Sequence, residues 1–125
     1  MSNYEIIGQA ISILREPLAG YVLQQLQTVP EYQVNDAWWQ QGVLEAVHDE
    51  RDFDRLAALT DYGERRDALD VLLCLNLMIS HWSNLFKYRL PNAARSWLSE
   101  IREVRNDWAH FKGTDFTDKE TARAL

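Results

Sequence analysis

Ile7, Ile11, Leu14, Leu18, Val22, Leu26 and Val29 recur at steps of three and four. That spacing draws one apolar stripe along a long helix. Pro17 falls inside it, removes a backbone donor and crowds the preceding turn, so a kink is expected there. Pro30 closes the segment. Asp36 is placed to cap a short helix containing Trp38, Trp39, Val43, Leu44 and Val47. The run HDERDFDR, residues 48–55, reads as a charged connection. Asp61 followed by Glu64 is a capping-box pattern, and it predicts a helix from about Arg65 to about Leu90. That helix is apolar almost all round between Val71 and Ile79, as the central helix of a bundle should be. Pro91 and Asn92 punctuate. A further helix is expected from Ala93 to about Phe111, ending near Gly113 as a C-terminal cap. No segment alternates with period two, and no internal repeat or low-complexity tract is present. The pattern is that of an all-α bundle.

The last residues add one expectation. Thr117 and Glu120 repeat the capping-box spacing, which starts a helix near Asp118, yet the sequence stops at Leu125. A two-turn helix is marginal by itself in water. The reading is a single domain, residues 1–125, that forms the N-terminal part of a longer protein. The bland alternative is a short docked tail.

Composition narrows the class. The 125 residues, 46% hydrophobic and 26% charged, suit one soluble compact domain with a real core. A net charge of −6 gives no global attraction to nucleic acid. The charge is uneven: residues 31–70 hold eleven acidic and four basic side chains, and residues 85–112 hold six basic and three acidic ones. The second stretch offers a polyanion a local basic face, although charge alone also fits ordinary solvated helix surface. The one cysteine, Cys74, lies in the apolar run VLLCLNLMI and reads as a small buried hydrophobe. The N-terminus MSNYEIIGQ lacks the features of a signal peptide. The longest apolar stretch is broken by Asn76 and is far too short to span a bilayer. A cytoplasmic chain with no membrane contact is expected.

The segment VRNDWAH, residues 104–110, is the unusual chemistry. At about 100° per residue, Trp97, Leu98, Ile101, Val104, Trp108 and Phe111 share the buried stripe of the last long helix. Arg95, Ser99, Arg102, Asn106 and His110 fall opposite it. Arg105 lies at the stripe's edge, where its stem packs and its guanidinium reaches outward. An imidazole exchanges protons near neutrality. A guanidinium holds the charge of a pentacoordinate phosphate. Asn106 can orient the ring or donate to a phosphate oxygen. RNA supplies its own nucleophile, the 2′-hydroxyl. These parts suffice for phosphate-ester chemistry without a metal. Arg105 and His110 lie about 140° apart on an ideal helix, so two copies meeting across a two-fold axis would combine them more readily than one.

The bare spacing of Arg, four residues and His is a weak signal. The wider string LSEIREVRNDWAHFKG is more specific. It resembles the HEPN superfamily (higher eukaryotes and prokaryotes nucleotide-binding domains). The branch it most resembles is that of the eukaryotic nuclear mRNA-surveillance endonuclease, a branch that also opens large bacterial and archaeal ATPases tied to phage defence. IGQAISILREPLAGYV and HWSNLFKYRL are similar to the opening and central helices of those bacterial proteins. The resemblance implies a four- or five-helix bundle that dimerises with its two motifs facing. It implies a metal-independent endoribonuclease of a defence or toxin-type system, leaving a 2′,3′-cyclic phosphate. Arg105 and His110 take the catalytic roles in that reading, with Asn106 as the polar residue after the arginine. Arg95, Arg102 and Lys112 would contact RNA phosphates. The implied partners are RNA, a second copy and ATPase domains further along the same chain. The alternative is a non-catalytic module that dimerises a larger protein or binds a nucleotide or RNA.

Other candidates carry less. His48 stands among Asp49, Glu50, Asp52 and Asp54, but in no metal-site spacing, and reads as part of a solvated acidic loop. His81 reads as a polar residue between packed helices. Trp38 and Trp39 offer stacking faces, but their spacing with Val43 and Leu44 puts at least one in the core. There is no P-loop, no GxGxxG and no GxSxG. No metal or cofactor is expected.

Overall fold

A computed structural model describes residues 2–110, and every regular element among them is helical. Helix α1 spans Asn3–Gln27, α2 Ala37–Gln40, α3 Glu50–Ala57, α4 Tyr62–Asp67, α5 Val71–Ser80 and α6 Ala94–His110. Single 3₁₀ turns at Pro30–Tyr32, Leu44–Ala46 and Phe86–Tyr88 fill the connections. The expected all-α bundle forms, with α1, α5 and α6 packed on one another and the shorter helices closing one side.

Of the expected α1 stripe, Ile7, Val22 and Leu26 are buried and Ile11, Leu14, Leu18 and Val29 are partly buried; Ala19 and Leu23, outside that stripe, are buried beside it. The helix continues through Pro17 without interruption. Pro17 and Ile13 are both exposed, so the Ile13 carbonyl that loses its donor faces outward, where water replaces the missing bond.

Three expectations are corrected. The charged stretch 48–55 is not a connection: Asp49 accepts from the Asp52 amide at 2.9 Å and starts α3. Only Leu56 of that helix is buried, so apolar periodicity had little to register. The helix expected from Arg65 to Leu90 is divided. Asp61 starts α4 by accepting from the Glu64 amide, as its capping box requires. Asp70 then caps a second helix through the Leu73 amide at 2.7 Å. Beyond Ser80 the chain proceeds in tight turns. Trp82, Leu85 and Phe86 are still buried there, so the sequence keeps a helical spacing while the backbone does not keep a helix. The third correction is Asp36, which precedes α2 but makes no side-chain cap.

Asp36 instead meets Arg65. The guanidinium, 4% exposed, takes both Asp36 oxygens at 3.3 and 3.0 Å and donates from Nε to the Leu59 carbonyl at 3.0 Å. The Trp38 and Trp39 rings lie 5.2 and 5.0 Å from it. The hydrogen bonds and charge of Arg65 hold the Asp36 carboxyl below the usual carboxylate value. A depressed folded-state pKa stabilises the fold above the unfolded pKa and loses that contribution as pH falls through the folded one. Stability should therefore decline from about pH 4 downward. Asp36→Asn should be less stable at neutral pH and show a flatter acid limb in urea titrations. An equally steep limb would assign the acid sensitivity elsewhere.

Gly42, between α2 and the Leu44–Ala46 turn, is a close approach. A Cβ there would stand 2.2 Å from the Trp38 carbonyl oxygen, which no side chain can occupy without moving backbone. The Gly42 carbonyl accepts from His81 Nε2 at 2.6 Å, which ties the end of α5 to this turn. Cys74 is fully buried, and burial first, then Asp70, pushes its thiol up to about 12. It is a packed hydrophobe, as expected.

Candidate active site

Helix α6 carries the Arg-Asn-to-His segment on its last two turns. Its inner side is Ala94, Leu98, Ile101 and Val104, with Trp108 half-buried. Trp97 departs from the expected stripe and is 54% exposed. It sits one residue before buried Leu98, and α1 and α5 cover a narrower arc than six stripe positions require.

The far end of α6 is fastened by a second, smaller apolar cluster. Ile7 and Val104 are its buried pair, with Tyr4, Ile11 and Trp108 around them. The Trp108 indole lies parallel to the Tyr4 ring at 5.0 Å between centroids, and its Nε1 donates to the Tyr4 carbonyl at 2.9 Å. Gly8 makes room, since a Cβ there would come within 3.0 Å of the indole. These contacts join the first turns of α1 to the last turns of α6. They set the direction in which residues 105, 106 and 110 leave the helix. Gly8 is the one local signal of this packing, since a glycine inside a strongly periodic helix usually marks a close approach.

Trp108→Ala removes the stacked ring, one hydrogen bond and the cover over Val104. We expect a loss of about 2–3 kcal/mol in urea unfolding, with the largest rise in amide exchange at the end of α6. Protection that falls evenly along α6 would show that the indole does not fasten this end in particular.

The candidate residues are placed as follows. His110 is exposed, and Arg105 and Asn106 are half-buried. Among the described residues, no hydrogen bond or ion pair engages these three side chains. Arg95 is exposed on the first turn. Arg102 is not free: its Nη1 donates to Asn76 Oδ1 of α5 at 3.0 Å. Asn76, which interrupts the apolar run of α5, thus anchors one arginine of the basic face. Lys112 lies outside the described residues, as do Phe111 and Gly113. The structure brings Arg102, Asn106 and His110 onto successive turns of one helix. Arg105 leaves the same helix about 140° away from His110.

The other candidates resolve into structural roles. His81 is 8% exposed. With Nε2 donating to Gly42, its Nδ1 is left to accept from Asn84 Nδ2 at 3.4 Å. It does not join the α6 face. Around His48, Asp49 and Asp70 cap helices, and Asp52 pairs with Arg55 at 3.3 Å. Trp39 is buried at 1% exposure, and Trp38 is partly covered. No helix among the described residues is long and apolar enough to cross a membrane.

No curated protein and no solved structure matches this chain. One family does: the description "Swt1-like HEPN" matches residues 9–125. That span takes in α1 from Gln9 onward and the whole of α6, so of the apolar cluster beneath the motif it includes Ile11, Val104 and Trp108. On that coverage, together with an all-helical fold that ends α6 in Arg105, Asn106 and His110, the chain belongs to the Swt1-like HEPN family.

Proposed function

We propose that the protein is a metal-independent endoribonuclease whose reacting groups are His110, Arg105 and Asn106. The observation that carries this reading is the exposed His110 imidazole, one turn beyond Asn106, on a helix anchored by Trp108. His110 accepts the proton of a ribose 2′-hydroxyl. The 2′-oxygen forms a bond to the adjacent phosphorus, and the phosphorus–O5′ bond breaks. The departing 5′-oxygen takes a proton, leaving a 5′-hydroxyl and a 2′,3′-cyclic phosphate. Arg105 stabilises the charge on the phosphorane with its planar fork. Asn106 positions the ring or a phosphate oxygen. Arg95 contributes a phosphate contact, as does Lys112. Arg102 contributes charge from a position fixed by Asn76.

The angular separation of Arg105 and His110 supports a two-fold dimer, in which His110 of one copy works with Arg105 of the other. The resemblance to the opening domains of defence ATPases supports a defence or toxin-type setting, with ATPase domains in the same chain. The test is incubation of the purified protein with single-stranded RNA in EDTA, followed by analysis of the new 3′ ends. Cyclic phosphate ends are expected. Intact RNA, or cleavage that needs a divalent ion, would contradict the proposal.

A second reading, a binding or dimerisation module without catalysis, is favoured by one observation. Residues 31–70 carry eleven acidic and four basic side chains, which denies RNA a broad basic cradle. RNA binding without cleavage, unaltered in His110→Ala, would select it.

A further inference from the structure

The segment between α5 and α6 presents an aromatic ring that the fold does not use. Phe86 is fully buried while Tyr88, two residues on, is 72% exposed. The backbone between them is held at every step. The Lys87 amide bonds the Trp82 carbonyl at 2.9 Å, Tyr88 bonds Leu85 at 3.1 Å, and Arg89 and Leu90 bond Phe86 at 3.0 and 2.9 Å. The tyrosine is therefore mounted on a fixed base, with its ring in solvent. Cations stand on both sides of it in the chain. Lys87 Nζ lies 5.0 Å from the ring centroid. The Arg89 guanidinium touches Thr28 Oγ1 at 3.4 Å through one nitrogen and keeps its other donors. Beside the ring is an open cleft of about 340 Å³, bordered by Thr28, Asn84, Tyr88, Arg89 and, on the acidic side, Glu31.

A solvent-exposed aromatic ring with cations next to it in the chain is an arrangement that holds single-stranded nucleic acid: a base stacks on the open face and the neighbouring charges take its phosphates. Glu31 repels phosphate, which leaves the Lys87 and Arg89 side for the backbone. The 17 residues of α6 rise about 25 Å from the end of this segment to His110. Arg95, on the first turn of α6, lies between the two.

We propose that Tyr88, with Lys87 and Arg89, is a second RNA contact, a base-stacking platform about one helix length from His110. It selects single-stranded substrates long enough to reach both places. This rests on the RNA reading above, but on its binding part alone.

The test measures equilibrium binding of a fluorescently labelled oligouridylate to the His110→Ala protein, where RNA stays intact. Tyr88→Ala should weaken binding roughly tenfold, and Tyr88→Phe should leave it nearly unchanged. Lys87→Gln and Arg89→Gln should each lower the slope of log affinity against log salt by about one unit. The Tyr88→Ala effect should vanish for a fully paired RNA duplex, whose bases have no free face. Undiminished affinity in Tyr88→Ala overturns the proposal, as does an equal loss for duplex and single strand. If Tyr88→Ala weakens binding but the wild-type protein leaves RNA uncut, the platform stands and the nuclease reading fails. If the wild type cuts RNA while Tyr88→Ala binds as tightly, the platform alone fails.

Discussion

Trp39→Ala should lower the unfolding free energy by about 3–5 kcal/mol, a large share of the roughly 5–15 kcal/mol that holds a domain together. Trp39 is 1% exposed and is among the largest fully buried side chains. Truncation empties the space between α2, α3 and α4. It also leaves the Leu56 carbonyl without the indole Nε1 that reaches it at 3.2 Å. Arg65 loses one of the two rings its guanidinium faces, so a buried cation is stripped of part of its surroundings. Trp39→Phe keeps an aromatic ring and forfeits the indole donor, and about 1–2 kcal/mol is expected for it. Urea unfolding followed by far-ultraviolet circular dichroism measures both. A loss under about 1 kcal/mol for Trp39→Ala would mean that this side of the bundle collapses to fill the space. The end that carries Arg105, Asn106 and His110 should be affected only through the folded fraction, because it is fastened separately by Ile7, Val104 and Trp108.

The largest effect on activity is expected at the end of α6. His110→Ala should reduce the cleavage rate by about two to four orders of magnitude, the contribution of a positioned acid–base group. His110 is exposed, so the melting temperature should hardly change. Arg105→Ala should cost about two to three orders of magnitude, comparable to the loss of one charge-stabilising donor. Arg105→Lys should recover only part, because an ammonium lacks the planar fork. Mixing the two alanine variants separates the geometries. If His110 and Arg105 act across a two-fold axis, a heterodimer rebuilds one intact site and spoils the other. Random exchange of subunits then restores roughly a quarter of the wild-type rate. Restoration that is absent after verified exchange would place both groups in one copy.

The distribution of what could be read from the chain has a physical pattern. Helix α1 and helix α6 were legible because each shows one face to the core and repeats its apolar residues at helical steps. Asp61 was legible because a cap is a local contract between a side chain and an amide three residues away. Helix α3 was not, since a helix with one buried residue, Leu56, is held by its Asp49 cap and charged faces rather than by periodicity. The division of 65–90 was hidden by Trp82, Leu85 and Phe86, whose turns bury them at the spacing a helix would use. Asp36 illustrates a tertiary override: a residue suited to capping is claimed by Arg65, which lies 29 positions on. At the site, the polar face and its chemistry were visible in VRNDWAH. The partner Asn76 and the fastening by Tyr4 were not, because they depend on how α1, α5 and α6 meet; Gly8 marks a close approach without showing which ring makes it. The exposure of Trp97 has the same origin: a wheel gives directions but not the width of the arc that neighbours cover.

A DNA oligonucleotide containing one ribonucleotide tests the nuclease claim in a single gel. In EDTA, the wild-type protein should cut only on the 3′ side of that ribonucleotide and leave a cyclic phosphate. His110→Ala, matched for folded fraction, should leave the strand whole. Cutting at deoxyribonucleotides, or equal cutting by the two proteins, would contradict a reaction driven by the substrate's own 2′-hydroxyl and the imidazole of His110.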